Sequence, residues 1–176
     1  MINANIFDSP KDCIRTNSGL YMNVFEPTLE MIDINDIAHA LSFLPRFGGH
    51  LNKFYSVAQH SVMCAMKAKT LEDKRAALMH DGSEAYMLDI PSPIKAWLHD
   101  YKKYENVLMA KIAEKFDFEF PLNKEIKIID EDMLHLEWEN LVVNENDDFI
   151  CYTQQEAKEM FLEMYNELFV ECVMVQ

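Results

Sequence analysis

Apolar residues recur at three- and four-residue intervals through most of this chain, and that helical spacing constrains the fold more than any other feature. Leu, Met, Ala, Glu and Lys, which favour helices, are plentiful, whereas alternating runs typical of strands are few. Only 4 Gly and 6 Pro occur among 176 residues, which leaves little room for long irregular stretches. The sequence therefore predicts an all-α helical bundle of about seven helices, formed by one domain over residues 1–176.

Start and stop signals divide the chain into helices. Asp33-Ile34-Asn35-Asp36 begins the first, which Pro45 and the Gly48-Gly49 pair end, and Ser56 caps a second over 57–69. Further helices are predicted over 71–87, 93–98, 100–116, 124–143 and 154–170. Near the N-terminus, Asn17-Ser18-Gly19 lies between two apolar segments and predicts a small β-hairpin.

The net charge of −14 argues against a nucleic-acid polymer as partner, because an acidic surface repels phosphate backbones. No apolar stretch reaches the length of a membrane span, and the N-terminus has no signal-peptide pattern, so we expect no membrane partner. Cys13, Cys64, Cys151 and Cys172 form no CxxC pair, which is typical of free thiols in a reducing cytosol. A cytoplasmic protein is expected.

His80-Asp81 lies within an apolar segment and is the strongest local signal for chemistry. Burying an ionised Asp beside a His is unfavourable unless a partner compensates, and a divalent metal ion satisfies several ligands together. Glu84 follows at i+4 from His80, so the predicted helix would present all three side chains on one face. A bare His-Asp pair is more often structural, with a hydrogen-bonded core His and a capping Asp.

His60, on the apolar face of the preceding predicted helix, offers a third metal ligand. Asp130 is the candidate for a fourth, because it lies among Ile and Leu residues of a later helix, with Asp132 as its nearby rival. Two nitrogen and two oxygen ligands suit Zn, Mn, Co or Fe, with positions left open for water and substrate. Mg²⁺ is a further ion that could arrive with the substrate.

Three stretches around these residues, Ile34–His50, Phe54–Val62 and Met79–Lys95, together resemble the HD-domain superfamily of metal-dependent phosphohydrolases. The resemblance is to its small bacterial and phage branch and covers about residues 15–145. That branch includes bacterial 5′-deoxynucleotidases and the dATP triphosphohydrolases of phages that replace adenine with 2-aminoadenine. It implies that His60, His80, Asp81 and Asp130 hold the metal. Asp130 is favoured over Asp132 because it stands three residues before Met133, as in the family pattern.

The resemblance also implies roles for five further residues. Glu84 would be the acid or base that handles the attacking water or the leaving oxygen, and Asp89 would orient that water or the substrate. Arg46 and Lys95 would bind phosphate oxygens, and Phe47 would stack near the base or sugar. The 5′-deoxynucleotidases usually have Trp where this chain has Phe47, which leaves base and sugar preference open.

Deoxynucleotides are thus the expected substrates, with two activities open. One releases phosphate from a deoxynucleoside monophosphate, and the other releases tripolyphosphate or successive phosphates from a triphosphate such as dATP. The expected location is a bacterial cytosol, with a phage origin of the protein left open. A metal-binding regulatory module without turnover is the alternative. A cyclic-dinucleotide phosphodiesterase is disfavoured because those HD enzymes are larger. Family members of this size commonly form homo-oligomers, so one is expected here.

Overall fold

The computed structural model describes residues 10–170, in which helices follow a small hairpin. Strands β1 (Ile14–Arg15) and β2 (Tyr21–Met22) pair antiparallel, with Ile14 opposite Met22. The helices are α1 (Ile34–Phe43), α2 (Val57–Lys67), α3 (Leu71–Met79), α4 (Glu84–Met87), α5 (Ser92–Lys95), α6 (His99–Phe116), α7 (Lys124–Glu137) and α8 (Gln154–Tyr165). π-helical turns extend α7 over Trp138–Val143 and α8 over Asn166–Val170. The expected all-α bundle with an N-terminal hairpin is confirmed.

Side-chain caps explain where most of the longer helices begin. The Asp33 carboxylate accepts from the amide of Asn35 at the start of α1, and Ser56 accepts from Gln59 at the start of α2. Thr153 and Glu156 form a reciprocal capping box at α8. Each cap satisfies backbone donors that the first helical turn leaves unpaired, which is why these polar residues mark the boundaries.

Helix α2 lies at the centre of the bundle and contacts α1, α3, α7 and α8. Most of its residues are buried, and the core around them is formed by aliphatic, methionine and aromatic side chains that include Leu41, Val57, Val62, Leu78, Ile112, Met133 and Phe161. Three polar residues of α2, Gln59, His60 and Ser61, are buried as well. A helix placed in this way carries any polar side chain it has into the interior.

The predicted helix over 71–87 is wrong in one respect that matters for the site. Helix α3 ends at Met79, and residues 80–83 form tight turns before α4, with the amide of Gly82 donating to the Met79 carbonyl. A Cβ at Gly82 would lie 3.0 Å from that carbonyl oxygen and 3.4 Å from Ile112 Cγ2. His80, Asp81 and Glu84 are therefore brought together by a close turn and not by one continuous helical face.

Smaller differences lie at other helix ends. The helix predicted over 57–69 ends at Lys67, and the one predicted over 93–98 is the single turn α5. The hairpin is fastened to α1 because the amide and hydroxyl of Ser18 both donate to Asp36, at 2.7 Å each. Among the described residues, no helix combines the length and apolar character needed to cross a bilayer.

Candidate functional site

Three chain segments meet where the sequence predicts the four metal ligands. His60 comes from the middle of α2, His80 and Asp81 from the turn after α3, and Asp130 from the middle of α7. Their atoms converge: His60 Nε2 lies 3.1 Å from Asp130 Oδ1 and 3.9 Å from Asp81 Oδ2, and His80 Nε2 lies 3.7 Å and 3.2 Å from the same two atoms.

The two shorter separations, 3.1 and 3.2 Å, match those of atoms that share one ion, and the other two, 3.7 and 3.9 Å, are somewhat longer. Ligand atoms about 2.1 Å from one metal, at tetrahedral or octahedral angles, lie about 3.0–3.4 Å apart. His80 Nε2 is buried and forms no hydrogen bond in the described structure, although two carboxylates are nearby. A buried imidazole nitrogen that faces carboxylate oxygens without a hydrogen bond matches the chemistry of a divalent transition-metal site.

The opposite edge of each imidazole is anchored. His80 Nδ1 donates to the Ala77 carbonyl at 2.7 Å, and His60 Nδ1 donates to Glu137 Oε1 at 2.6 Å. A neutral imidazole has one donor and one acceptor nitrogen, so both rings are set with Nε2 towards the carboxylates. A histidine that binds a metal ion through Nε2 must be in this tautomer.

Charges in this cluster shift one another's pKa values strongly. Burial and Arg46 oppose protonation of His60, but hydrogen bonds to Asp130, Cys64 and Glu137 raise its pKa well above the usual value. Burial also opposes protonation of His80, but the nearby Asp81 and Asp130 raise its pKa to about 9. Burial acts to raise the pKa of Asp130, but the two histidines lower it well below the usual value. These anions thus favour positive charge at the point where the four side chains meet.

Cys64 places a soft donor atom beside this cluster. Its Sγ lies 3.5 Å from His60 Nε2, and the ligand atoms of His60, Cys64 and His80 all lie within 4.8 Å of one another, close enough for one metal ion. The thiol is buried, one helical turn after His60 on α2. Cys13 and Cys151 are free as expected, and Cys172 lies outside the described residues.

Arg46 lies at the edge of the cluster and is held by a carboxylate that the sequence analysis missed. Its Nε donates to Glu137 Oε2 at 2.9 Å, and its Nη1 lies 3.9 Å from Asp81 Oδ2. Glu137 is fully buried and also accepts from the Tyr55 hydroxyl at 2.9 Å. Burial acts to raise the pKa of Glu137, but its hydrogen bonds and charge contacts with His60, Arg46 and Tyr55 lower it, so it stays ionised.

Glu84, the first residue of α4, is buried close to the candidate ligands. Burial and the negative charges of Asp81 and Asp89 raise its pKa well above the usual value, and its Oε2 has no hydrogen-bond partner among the described residues. Lys95 Nζ approaches Glu84 Oε1 at 3.4 Å but lies only 2.6 Å from Glu105 Oε1. The structure therefore places Lys95 in an ion-pair network that includes Glu105, which the sequence analysis did not single out.

Asp89 lies near these charges in the segment between α4 and α5. Burial raises the pKa of its carboxyl group, while Arg46 acts to lower it and Asp81 to raise it. Leu88, just before it, has the left-handed backbone angle φ 71°, which turns the chain sharply at this point. Asp89 is thereby placed close enough to Asp81 and Arg46 for their charges to shift its pKa.

Phe47 lies beside Arg46 in the short turn Arg46–Gly49. Its backbone is left-handed at φ 56°, and its ring lies 6.0 Å from that of Trp138, which is half-exposed. The rings of Phe47 and Trp138 therefore lie on the side of the site that contains the buried Arg46. Trp138 was missed because it directly follows the charged end of α7, where the sequence resembles a solvated surface.

Several alternatives weighed from the sequence lie away from the cluster. Asp132 is exposed on α7, whereas Asp130 is directed to both histidines. His39 packs on Phe43, and His50, His99 and His135 are exposed. The described structure thus brings together His60, His80, Asp81, Asp130, Glu84 and Arg46, and leaves the other histidines outside.

Comparison with known proteins places the chain in a family. No family model matches it. It is 40% identical over 148 residues to YfdR of Escherichia coli K12, an uncharacterized protein, covering 84% of this chain and 83% of YfdR. The chain belongs to the YfdR family. An uncharacterized protein of Rhodobacter capsulatus is 31% identical to this chain over 140 residues, which cover 72% of this chain and 71% of that protein.

A more distant relative of this chain has a named activity. It is a 5′-deoxynucleotidase of Photorhabdus laumondii, 27% identical over 136 residues, which cover 74% of this chain and 58% of that protein. The similarity extends over a region large enough to contain the clustered residues, and it relates the chain to a hydrolase.

Proposed function

We propose that this protein is a metal-dependent phosphohydrolase of the HD-domain type that acts on deoxynucleotides. The observation that carries the proposal is the convergence of His60 Nε2, His80 Nε2, Asp81 Oδ2 and Asp130 Oδ1, with neighbouring atoms 3.1–3.9 Å apart. The relationship to a named 5′-deoxynucleotidase supports a nucleotide as substrate.

In this proposal the four converging side chains hold a divalent Zn, Mn, Co or Fe ion. A metal ion bound there supplies a water of lowered pKa and neutralises charge on the phosphoryl oxygens. Such an ion is needed because an acidic chain with net charge −14 otherwise repels a phosphate ester.

The chain's own residues supply the rest of the chemistry. Glu84 favours its protonated form, so its carboxyl group can give a proton to the leaving sugar oxygen, which otherwise departs as an unstable alkoxide. Arg46 presents the ends of its guanidinium group towards Asp81 while its Nε is held by Glu137, which suits it to bind a phosphoryl oxygen. Asp89 would orient the substrate or water from the segment between α4 and α5.

Lys95 has a more limited part than the sequence suggested. Because it is held by Glu105 at 2.6 Å, its positive charge first compensates that carboxylate and Glu84. A phosphate group would have to compete with both for the ammonium. We propose that Lys95 contributes positive charge near the substrate and assists in setting the proton affinity of Glu84.

The test is hydrolysis of dAMP and dATP side by side, in Mn²⁺ or Co²⁺, with the products separated chromatographically. Phosphate from dAMP would establish a 5′-deoxynucleotidase, and tripolyphosphate from dATP would establish a triphosphohydrolase. A protein that binds metal but turns over none of a full deoxynucleotide panel would be the regulatory module instead, and the proposal would be wrong.

Matched variants separate the roles. Asp130→Asn should lose metal and activity together, whereas Asp132→Asn, the same change at an exposed position two residues away, should retain both. Glu84→Ala should lose turnover by about 100-fold or more, the usual contribution of general acid–base catalysis, and keep its metal. An unchanged rate in Glu84→Ala would contradict the assigned proton transfer.

A further inference from the structure

Glu137 joins two parts of the candidate site through one buried carboxylate. Its Oε1 accepts from His60 Nδ1 at 2.6 Å and from the Tyr55 hydroxyl at 2.9 Å, and its Oε2 accepts from Arg46 Nε at 2.9 Å. The side chain has no exposed surface, so an ionised carboxylate is tolerated there only because these three donors satisfy it.

We propose that Glu137 is a positioning residue for the metal centre: it fixes the tautomer and orientation of His60 and holds Arg46 beside the same centre. This inference rests on the proposed function. Glu137 itself would touch neither the expected ion nor the substrate. It would act through His60, which is proposed to hold the ion, and Arg46, which is proposed to bind the substrate.

The contact with His60 determines which nitrogen faces the cluster. An ionised carboxylate can only accept, so His60 Nδ1, which lies 2.6 Å from Glu137 Oε1, carries a proton. Nε2, which lies 3.1 Å from Asp130 Oδ1, is the nitrogen that a metal ion can bind by displacing its proton. A hydrogen bond from the distal nitrogen of a ligating imidazole to a carboxylate orients the ring and strengthens its donor nitrogen. His80 has only the neutral Ala77 carbonyl in that place, so the two histidines are supported unequally.

The contact with Arg46 orients the guanidinium group. With Nε engaged by Glu137, the terminal nitrogens point onward, and Nη1 lies 3.9 Å from Asp81 Oδ2. Arg46 and His60 come from different segments, the turn before α2 and α2 itself, and they have no other shared side-chain partner of opposite charge as close as Glu137 in the described residues. One carboxylate therefore sets the distance between an anion-binding group and a metal ligand.

The test is metal affinity, measured by titrating Co²⁺ or Mn²⁺ into wild-type protein, Glu137→Gln and Tyr55→Phe. Glu137→Gln keeps the size of the side chain but places an amide where a carboxylate must accept three hydrogen bonds, and metal affinity should fall by 10- to 100-fold, the usual effect of losing such a partner. Tyr55→Phe removes a buried hydrogen bond to the same carboxylate oxygen but leaves the His60 contact, so its affinity should stay within about threefold of wild type.

Each outcome decides between a positioning role and a structural one. Equal affinities for wild type and Glu137→Gln, or an equal loss in Glu137→Gln and Tyr55→Phe, would overturn the inference while leaving the proposed function intact. A wild-type protein that binds no metal would overturn the proposed function, and the inference with it.

A measurement on the unaltered protein guards against a variant that does not fold. Ring-nitrogen NMR of the ¹⁵N-histidine-labelled, Zn²⁺-loaded protein should show His60 metal-bound at Nε2 with a slowly exchanging proton on Nδ1. Metal bound at Nδ1 of His60, or an unprotonated Nδ1, would show that Glu137 does not set the tautomer.

Discussion

Glu84 is a buried carboxyl group whose surroundings favour its protonated form. Burial and the negative charges of Asp81 and Asp89 raise its pKa, and Lys95 at 3.4 Å offsets this only in part. A catalytic acid needs such a proton affinity near neutral pH. The same property makes the ionised side chain unfavourable for the folded state.

Glu84→Gln should therefore stabilise the metal-free protein as the pH rises. A carboxyl group with a raised folded-state pKa contributes stability at low pH, and this is lost as the pH climbs from the unfolded-state pKa through the folded-state one. Glutamine does not ionise, so Tm should exceed wild type by about 2–4 °C at pH 8, the shift expected for about 1 kcal/mol. The gain should shrink towards pH 5.

Thermal unfolding in a chelator across this pH range measures the effect. Glu131→Gln, the same change at an exposed position of α7, is the control and should show no gain. A Glu84→Gln protein that loses stability with rising pH relative to wild type would contradict the charge environment described for Glu84.

Phe47 and Trp138 allow the proposed nucleoside side of the site to be tested by binding. Stacking of a base on an aromatic ring contributes about 1–3 kcal/mol, so Phe47→Ala should weaken binding of a deoxynucleotide by about tenfold or more. Because Trp97 and Trp138 are the two tryptophans of the chain, a Trp97→Phe background isolates the emission of Trp138, whose ring lies 6.0 Å from Phe47.

Titration of dAMP into the metal-loaded protein, followed by Trp138 emission, gives the dissociation constant. Phe43→Ala, which removes an exposed ring of α1 that packs on His39, is the matched control. If Phe43→Ala weakened binding as much as Phe47→Ala, the nucleoside side would lie elsewhere.

At the scale of helices, local chemistry predicted the boundaries where side chains cap the backbone. The sequence identified Ser56 as a cap and the segment Asp33-Ile34-Asn35-Asp36 as a helix start, because short polar side chains accept from the first helical amides; in the structure, Asp33 is the cap of that segment. The break after Met79 was not predicted, because the apolar spacing continues through it and the turn depends on the close approach of Gly82 to Ile112. That contact joins the turn after α3 to α6, and no local sequence pattern indicates it.

Glu137 was missed for a related reason. It lies among Glu131, Asp132 and Glu139, a charge pattern typical of a solvated helix face. A signal was present, because Glu137 stands seven residues after Asp130 and two helical turns bring it back to the same face. The candidate ligands were found from the sequence because His and Asp in apolar surroundings need compensation, whereas an acidic residue among acidic residues raises no such question.

Gln59 ties α2 to the segment that leads into α8. Its side-chain amide donates to the Ile150 carbonyl at 2.8 Å and accepts from the Tyr152 amide at 2.9 Å, although the side chain is almost fully buried. Gln59→Ala should lower the free energy of unfolding by about 2 kcal/mol, because two backbone groups lose their partners.

Chemical denaturation measures this loss. Gln155→Ala, an exposed glutamine of α8 that bonds only to Glu159 among the described residues, should change the free energy of unfolding by less than about 0.5 kcal/mol. Equal losses at both positions would show that Gln59 does not fasten the segment.

The whole molecule carries a net charge of −14 and is proposed to bind an anionic substrate. Long-range repulsion is screened by salt, whereas buried charges such as Arg46 are screened much less. Raising the salt concentration from 20 to 150 mM should therefore leave kcat/KM for dAMP unchanged or raise it by about twofold. A severalfold decrease would indicate that an exposed basic surface recruits the nucleotide.

The backbone at Phe47 has a consequence for directed evolution. With φ 56°, this position favours glycine or asparagine, and an aromatic residue there is strained. A library randomised at position 47 and selected for thermal tolerance should enrich the small residues, whereas one selected for nucleotide turnover should enrich aromatic ones. The two selections would then favour different residues at position 47. That difference would show how far the contribution of the aromatic ring to nucleotide turnover outweighs the backbone strain at this position.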